Sequence, residues 1–297
     1  MYLFGIDPKS LSSEPELAPS LREFKIACGA TLELLRKLGI TALKLRSQGL
    51  RVDYKTDGSV FTNTDEILNR VLVEMLPKIF PAPVVSEENK ASLDLTAFNP
   101  KEPFWLVDPL DGSRSYAEGY NGFGINVALI TNQRPILSVV GIPSSNQAYL
   151  AIRGNGAVKV KFDTEGAPSF HPLSSRTELG KNGVLTIAGF YNSGVEEYEA
   201  FETFLSKLKH VEIDFRYSSA VNKYCAVADN RADIGGGITI DLYNHDFAAP
   251  SLIISEAGGM FINPKTLKPI AFTPADLTKQ PAIAISAAMA KHLGIAA

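Results

Sequence analysis

The stretch Phe104-Trp-Leu-Val-Asp108-Pro-Leu-Asp111-Gly-Ser113 constrains the fold more than any other part of the chain. Four apolar residues read as a strand, and two carboxylates follow directly at its end. Pro109 is expected to turn the chain, Gly112 to permit a tight backbone, and Ser113 to Glu118 to start a short helix. Carboxylates reaching from a rigid strand end towards one point suit a hard cation such as Mg²⁺. The amides of Gly112 and Ser113 would then offer a phosphate cradle beside it. A solvated Asp-Gly turn is the alternative use of the same residues. The gap of two residues between the acids excludes the Asp-x-Asp chemistry of haloacid dehalogenase phosphatases.

Other acids also fall at element ends. Val84-Val-Ser-Glu87-Glu88 is a second apolar strand closed by carboxylates, and adjacent side chains on a strand point different ways. One of the two glutamates can share a centre with Asp108 and Asp111; the other is expected at the surface or behind the first. Asp65 follows Thr62-Asn-Thr64 at a helix start, and Asp246 precedes Phe247-Ala-Ala. Either could be a helix cap instead. Gly235-Gly-Gly237 lacks dinucleotide-loop spacing and is read as a turn. Cys28 and Cys225 stand alone, without metal or redox spacing, which fits a reducing cytoplasm.

Along the chain, a helix is expected from Ser20, with Glu23 completing a capping box, as far as Gly39. A second should run from about Thr64 until Pro77 ends it. Ile125–Ile130 and Ile136–Val140 read as a hairpin around the five polar-turn residues 131–135. Val184–Ile187 reads as a strand; Glu196–Leu208, Ala220–Ala228 and Phe247–Ala257 read as helices. The expectation is an α/β fold of helices layered on mixed sheets, in two halves, 18–155 and 156–297. A net charge of −3 over 297 residues, with no basic run, argues against nucleic acid as a partner. The most apolar stretch, 125–142, is interrupted too early to span a membrane, and the first residues lack a signal-peptide pattern.

Taken together, Asp57-Gly-Ser-Val-Phe-Thr-Asn-Thr-Asp65, Ser86-Glu-Glu88, Trp105 to Ser113, and His245-Asp-Phe-Ala-Ala249 with Glu256-Ala-Gly-Gly259 resemble the inositol monophosphatase family in order and spacing. The resemblance covers most of the chain and implies one domain, an αβαβα sandwich of two sub-domains. It implies Mg²⁺-dependent, Li⁺-sensitive hydrolysis of small phosphomonoesters, with roughly two or three ions per site in the manner of two-metal chemistry. Carried over by position, Glu87, Asp108, Asp111, Asp246 and the Leu110 carbonyl would hold metal. Asp65 and the Ser113 hydroxyl would orient the attacking water, and Gly112 and Ser113 would hold phosphate. Glu88 would stand behind the ligands; Lys223 and His245 would face substrate. Features around 121–130, Lys223 and Phe272 look like the 3′(2′),5′-bisphosphate nucleotidase branch, whereas His245-Asp-Phe is closer to histidinol-phosphate phosphatases. A metal-dependent binding protein without turnover is the reading from a different class. A homodimer is compatible with all of them.

Overall fold

The computed structural model describes residues 18–56, 58–94, 98–99, 101–163, 167–175, 177–178, 185–188, 211–214, 219–230, 234–264, 266–273 and 279–295. The chain begins with helix α1 (Ala18–Gln48), a small antiparallel pair, β1 (Val52–Tyr54) and β2 (Val60–Thr62), and helix α2 (Asn63–Ile79). A large sheet follows: β3 (Val84–Ser86), β4 (Phe104–Asp111), β5 (Gly124–Thr131), β6 (Arg134–Ile142), β7 (Gln147–Ile152), β8 (Ala157–Lys161) and β9 (Ser169–Pro172). Its strands lie in chain order, parallel only between β3 and β4, and the short helix α3 (Ser113–Ala117) interrupts it after β4. The second sheet is built from β10 (Leu185–Ala188), β11 (Val211–Asp214), β12 (Ile234–Leu242), β13 (Met260–Ile262) and β14 (Gln280–Ile285), in the order β11-β10-β12-β14-β13. Helices α4 (Ala220–Ala228), α5 (Asn244–Glu256) and α6 (Ala287–His292) belong to this half of the chain.

Strand alternation assembles the layers. Trp105 and Val107 of β4 join Ile125, Val127 and Leu129 of β5 in a core against α1 and α2. Phe104 and Leu106, with Ala128 and Ile130, face the other way and meet Val221, Tyr224, Phe247 and Leu252 of α4 and α5. Those two helices also pack on the second sheet through Phe261, Ala282 and Ala284, while Ile283, Ile285 and Met289 form a smaller core under α6. The result is the expected αβαβα layering.

Several local expectations are corrected. α1 contains Ser20 rather than starting at it, since Pro19 near the helix start needs no intrahelical donor. It also runs through Gly39, where an added Cβ would come within 3.0 Å of Pro143; the glycine serves close packing and not a stop. Pro77 sits inside the last turns of α2, which ends at Ile79. The β5–β6 turn is two residues, Asn132 and Gln133, both with positive φ (48° and 62°), a geometry that matches strand twist. Gly235–Gly237 lies within β12 and not in a turn; a Cβ on Gly236 would meet the Ala284 carbonyl at 3.0 Å, so glycine admits the neighbouring strand. Residue 155 falls inside the first sheet, because β8 and β9 complete it, and the change of sheet comes after Pro172. The expected helix 196–208 lies outside the described residues.

Candidate active site

Two acids three residues apart on a regular strand would point to opposite faces. β4 does not turn at Pro109; it runs on to Asp111 and shifts register against β5 between Asp108 and Asp111. This bulge resets the alternation. Leu110 enters the core beneath α1 and α2, while Asp108 and Asp111 both face α4 and α5. The Leu110 N–H donates to Asp108 Oδ1 (2.9 Å), fixing the first carboxylate. Gly112 follows at φ 82°, and a Cβ there would strike the Gly122 carbonyl at 2.6 Å, so this turn requires glycine.

Four helix starts converge on these acids. Asp65 is the third residue of α2, where its Oδ2 accepts from the Thr62 N–H (2.8 Å) and hydroxyl (2.6 Å). Its Oδ1 accepts from the Ser113 hydroxyl (2.7 Å), and Ser113 opens α3. Asp65 is therefore a cap that also holds Ser113, a residue of the cavity wall. The Val221 N–H in the first turn of α4 donates to Asp111 Oδ2 (2.8 Å). Asp246 is the third residue of α5, inside the helix, and its Oδ2 accepts from the Tyr243 N–H (2.8 Å). The positive ends of helix dipoles and their free amides thus offset a concentration of negative charge.

One oxygen from each of Asp108, Asp111 and Asp246 lies within 4.8 Å of the others. They line a cavity of about 420 Å³ together with Glu87, Leu110, Gly112, Ser113, Lys223 and Lys279. Burial, followed by the charges of Glu87, Asp111 and Asp246, raises Asp108 well above the ordinary carboxylate range. Asp246 is raised likewise, by burial and then by Asp111 and Glu87. Burial pushes Asp111 up to about 6, against the opposing bonds from Val221 and Ser219 and the charge of Lys223. A set of buried oxygen donors that repel one another fits a hard divalent cation. Softer metals are poorly served, since the clustered ligand atoms among the described residues are carboxylate oxygens with no thiolate among them.

Glu87 and Glu88 both bind Lys55 Nζ, each at 2.7 Å, so the two adjacent acids share one cation. Glu88 is pushed up to about 7 by burial and the Glu87 charge, with Lys55 opposing. Leu110 lines the cavity, and its carbonyl oxygen lies 2.7 Å from the Ser113 hydroxyl, competing with Asp65 Oδ1 for its one proton. Lys223, expected to face substrate, is 1% exposed and lines the cavity; burial lowers it to about 7 against the pull of Asp111. His245 stacks on Tyr243 with ring centres 5.3 Å apart, and its Nε2 lies 3.7 Å from Asp246 and 3.9 Å from Glu87. Burial lowers it to about 3, so the ring is neutral at ordinary pH.

Lys55, Lys279 and Tyr243 went unnoticed in the sequence. The Lys90 ammonium lies 3.8 Å from the Tyr243 ring centre and that of Lys279 lies 5.3 Å from it, and of the three only Lys279 lines the cavity itself. No local pattern marks Lys279 or Tyr243. The signal that could have found Lys55 is its place in the sequence just ahead of the Asp57-Gly58 pair in the run that ends at Asp65.

The profile of the inositol monophosphatase family matches residues 25–296. A Nus factor SuhB of Haemophilus influenzae is 28% identical over 204 residues, 67% of this chain and 70% of its own length. A 3′(2′),5′-bisphosphate nucleotidase CysQ of Aggregatibacter actinomycetemcomitans is 27% identical over 235 residues, 78% of this chain and 82% of its own. Among solved structures, CysQ from Bacteroides thetaiotaomicron superposes with a TM-score of 0.70 at 23% identity, covering 88% of this chain and 97% of that one.

Proposed function

The chain belongs to the inositol monophosphatase family, and on that premise we propose that it hydrolyses a small phosphomonoester of the inositol phosphate or sugar phosphate kind by direct attack of water. The observation that carries this reading is the cluster of Asp108, Asp111 and Asp246 on the wall of a polar cavity. Mg²⁺ is the proposed cation, held by these three, Glu87 and the Leu110 carbonyl. When bound, it supplies a lowered water pKa and neutralises charge on the departing oxygen.

The chain's own groups do the rest. Asp65 Oδ1 holds the Ser113 hydroxyl, and this pair orients the attacking water and receives its proton. Burial raises Asp65, opposed by the bonds from Thr62 and Ser113, which makes its carboxylate a better base than a surface aspartate. The Gly112 and Ser113 amides hold the phosphate. Glu88 keeps Lys55 in place behind Glu87, Lys223 meets an anionic group of the substrate, and His245 shapes the same wall. We assign the half carrying most of the proposed metal ligands to residues 18–172 and the half carrying Asp246 to the remainder.

Finer properties follow from the same reading. Activity should be inhibited by Li⁺. The buried free thiols Cys28 and Cys225 support a cytoplasmic setting, and no described helix is long and apolar enough to cross a membrane. Ile26 and Ile40, 63% and 53% exposed on α1, support a homodimer. A second reading, a 3′(2′),5′-bisphosphate nucleotide substrate, is favoured by the CysQ relative and by Lys223 and Lys279 on the cavity wall.

The test is phosphate release from inositol phosphate, adenosine bisphosphate, histidinol phosphate and fructose bisphosphate, with and without Mg²⁺. Mg²⁺-dependent release from inositol phosphate is expected. Preference for the adenosine compound would select the second reading. Silence on all four would overturn hydrolysis and leave a binding protein.

A further inference from the structure

Asn126 lies on a face of β5 whose following side chains are apolar. It shares a face of β5 with Ala128 and Ile130, is fully buried, and pairs across the ladder with Asp108. Its Oδ1 has no hydrogen-bond partner among the described residues. A half-satisfied buried amide costs stability relative to an apolar residue of similar volume, so its other half should have a use.

That half, Nδ2, donates to the backbone carbonyl of Asp246 at 3.3 Å. Within a helix this carbonyl would accept from the N–H four residues on, but that residue is Pro250, which has none. The first turn of α5 therefore carries an open acceptor, and the sheet supplies the donor that the helix lacks. One side chain thus links the strand position opposite Asp108 to the backbone of Asp246.

We propose that Asn126 is a positioning residue for the cation site: it anchors the first turn of α5, and with it the Asp246 carboxylate, against the strands carrying Asp108. The inference rests on the cation-binding reading given above. It requires the donor to come from the sheet, and not merely that the carbonyl be satisfied.

Two substitutions separate these roles. Asn126→Leu removes the donor at similar volume. Pro250→Ala restores an intrahelical N–H to the Asp246 carbonyl without restoring the link to the sheet. Mg²⁺ binding is read by calorimetric titration of the purified full chain, and melting temperature is read without cation. Asn126→Leu should weaken Mg²⁺ binding about tenfold or more, as loss of support behind a metal ligand typically does. The double variant should recover melting temperature towards that of Pro250→Ala alone while its Mg²⁺ affinity stays weak. Wild-type affinity in Asn126→Leu would overturn the proposal, as would full recovery of affinity in the double variant. Should Asn126→Leu not fold, Asn126→Ser, too short to reach the carbonyl, is expected to show the same loss, and unchanged affinity there would overturn the proposal equally. A wild-type chain that takes up neither Mg²⁺ nor Mn²⁺ would sink the cation reading and this inference with it; normal wild-type binding with unaffected variants sinks this inference alone.

Discussion

Asp65 carries two obligations at once, capping α2 through Oδ2 and holding the Ser113 hydroxyl through Oδ1. Asp65→Asn keeps its size and one acceptor oxygen but removes the charge that draws the proton. Turnover should fall by roughly 10²–10⁴-fold, the usual worth of a positioned base, with little change in Mg²⁺ affinity; steady-state kinetics beside a cation titration would check both. The carboxylates of the cluster set a pH dependence. Asp108 and Asp246 are raised well above their ordinary value and Asp111 to about 6, so the folded chain takes up protons that the unfolded chain has released. The stability these groups contribute is present below the unfolded carboxylate value and lost as pH rises through about 6. A cation replaces those protons. The rise in melting temperature on adding Mg²⁺ should therefore be larger at pH 7.5 than at pH 5, and an equal or reversed shift would contradict the clustering.

At the level of elements, the β5–β6 turn makes the plainest prediction. Gln133 sits at φ 62°, a left-handed conformation that costs a side chain roughly 1–2 kcal/mol, partly offset by the greater freedom of an unfolded glycine. Gln133→Gly should stabilise the chain by about 0.5 kcal/mol or somewhat more, measured by urea unfolding, and keep the Gln133 carbonyl bond to the Phe272 N–H. What the sequence disclosed and concealed divides along similar lines. The strand Phe104–Val107, the helix Ala220–Ala228 and the acids at element ends were legible, because local apolar runs and caps determine them. The true length of the turn was hidden, since its polar flanks Thr131, Arg134 and Pro135 continue as strand through cross-strand pairing. The glycines 235–237 read as a turn for want of side chains, while a neighbouring strand pressing on Gly236 is what calls for glycine at that position. Lys55 reaches Glu87 across 32 residues of sequence, a meeting set by tertiary packing alone.

The whole molecule is held across its layers by a few polar ties. Lys159 on β8 and Tyr149 on β7 both bond Asp229 Oδ2, at 2.6 and 3.1 Å, at the end of α4. Glu256 at the end of α5 accepts from the N–H groups of Gly154 and Gly156, at 2.9 and 2.8 Å. Lys159 and Asp229 are largely buried, with 13% and 17% of their side chains exposed, so removing one strands the other's charge. Asp229→Ala should cost about 2–3 kcal/mol by denaturant unfolding, less than a fully buried pair would, while leaving Mg²⁺ affinity within about twofold because this tie lies away from the acids. At the other end of the same layers stands the bulge between Asp108 and Asp111. Its consequence is that the count of residues in this segment matters as much as their identity. Another apolar side chain at Leu110 would leave both carboxylates where they are. Deleting or adding a single residue there would rotate Asp111 towards α1 and α2, burying an acid in oil and emptying its place in the cavity. Variation at this point is therefore free in kind within limits but closed in length.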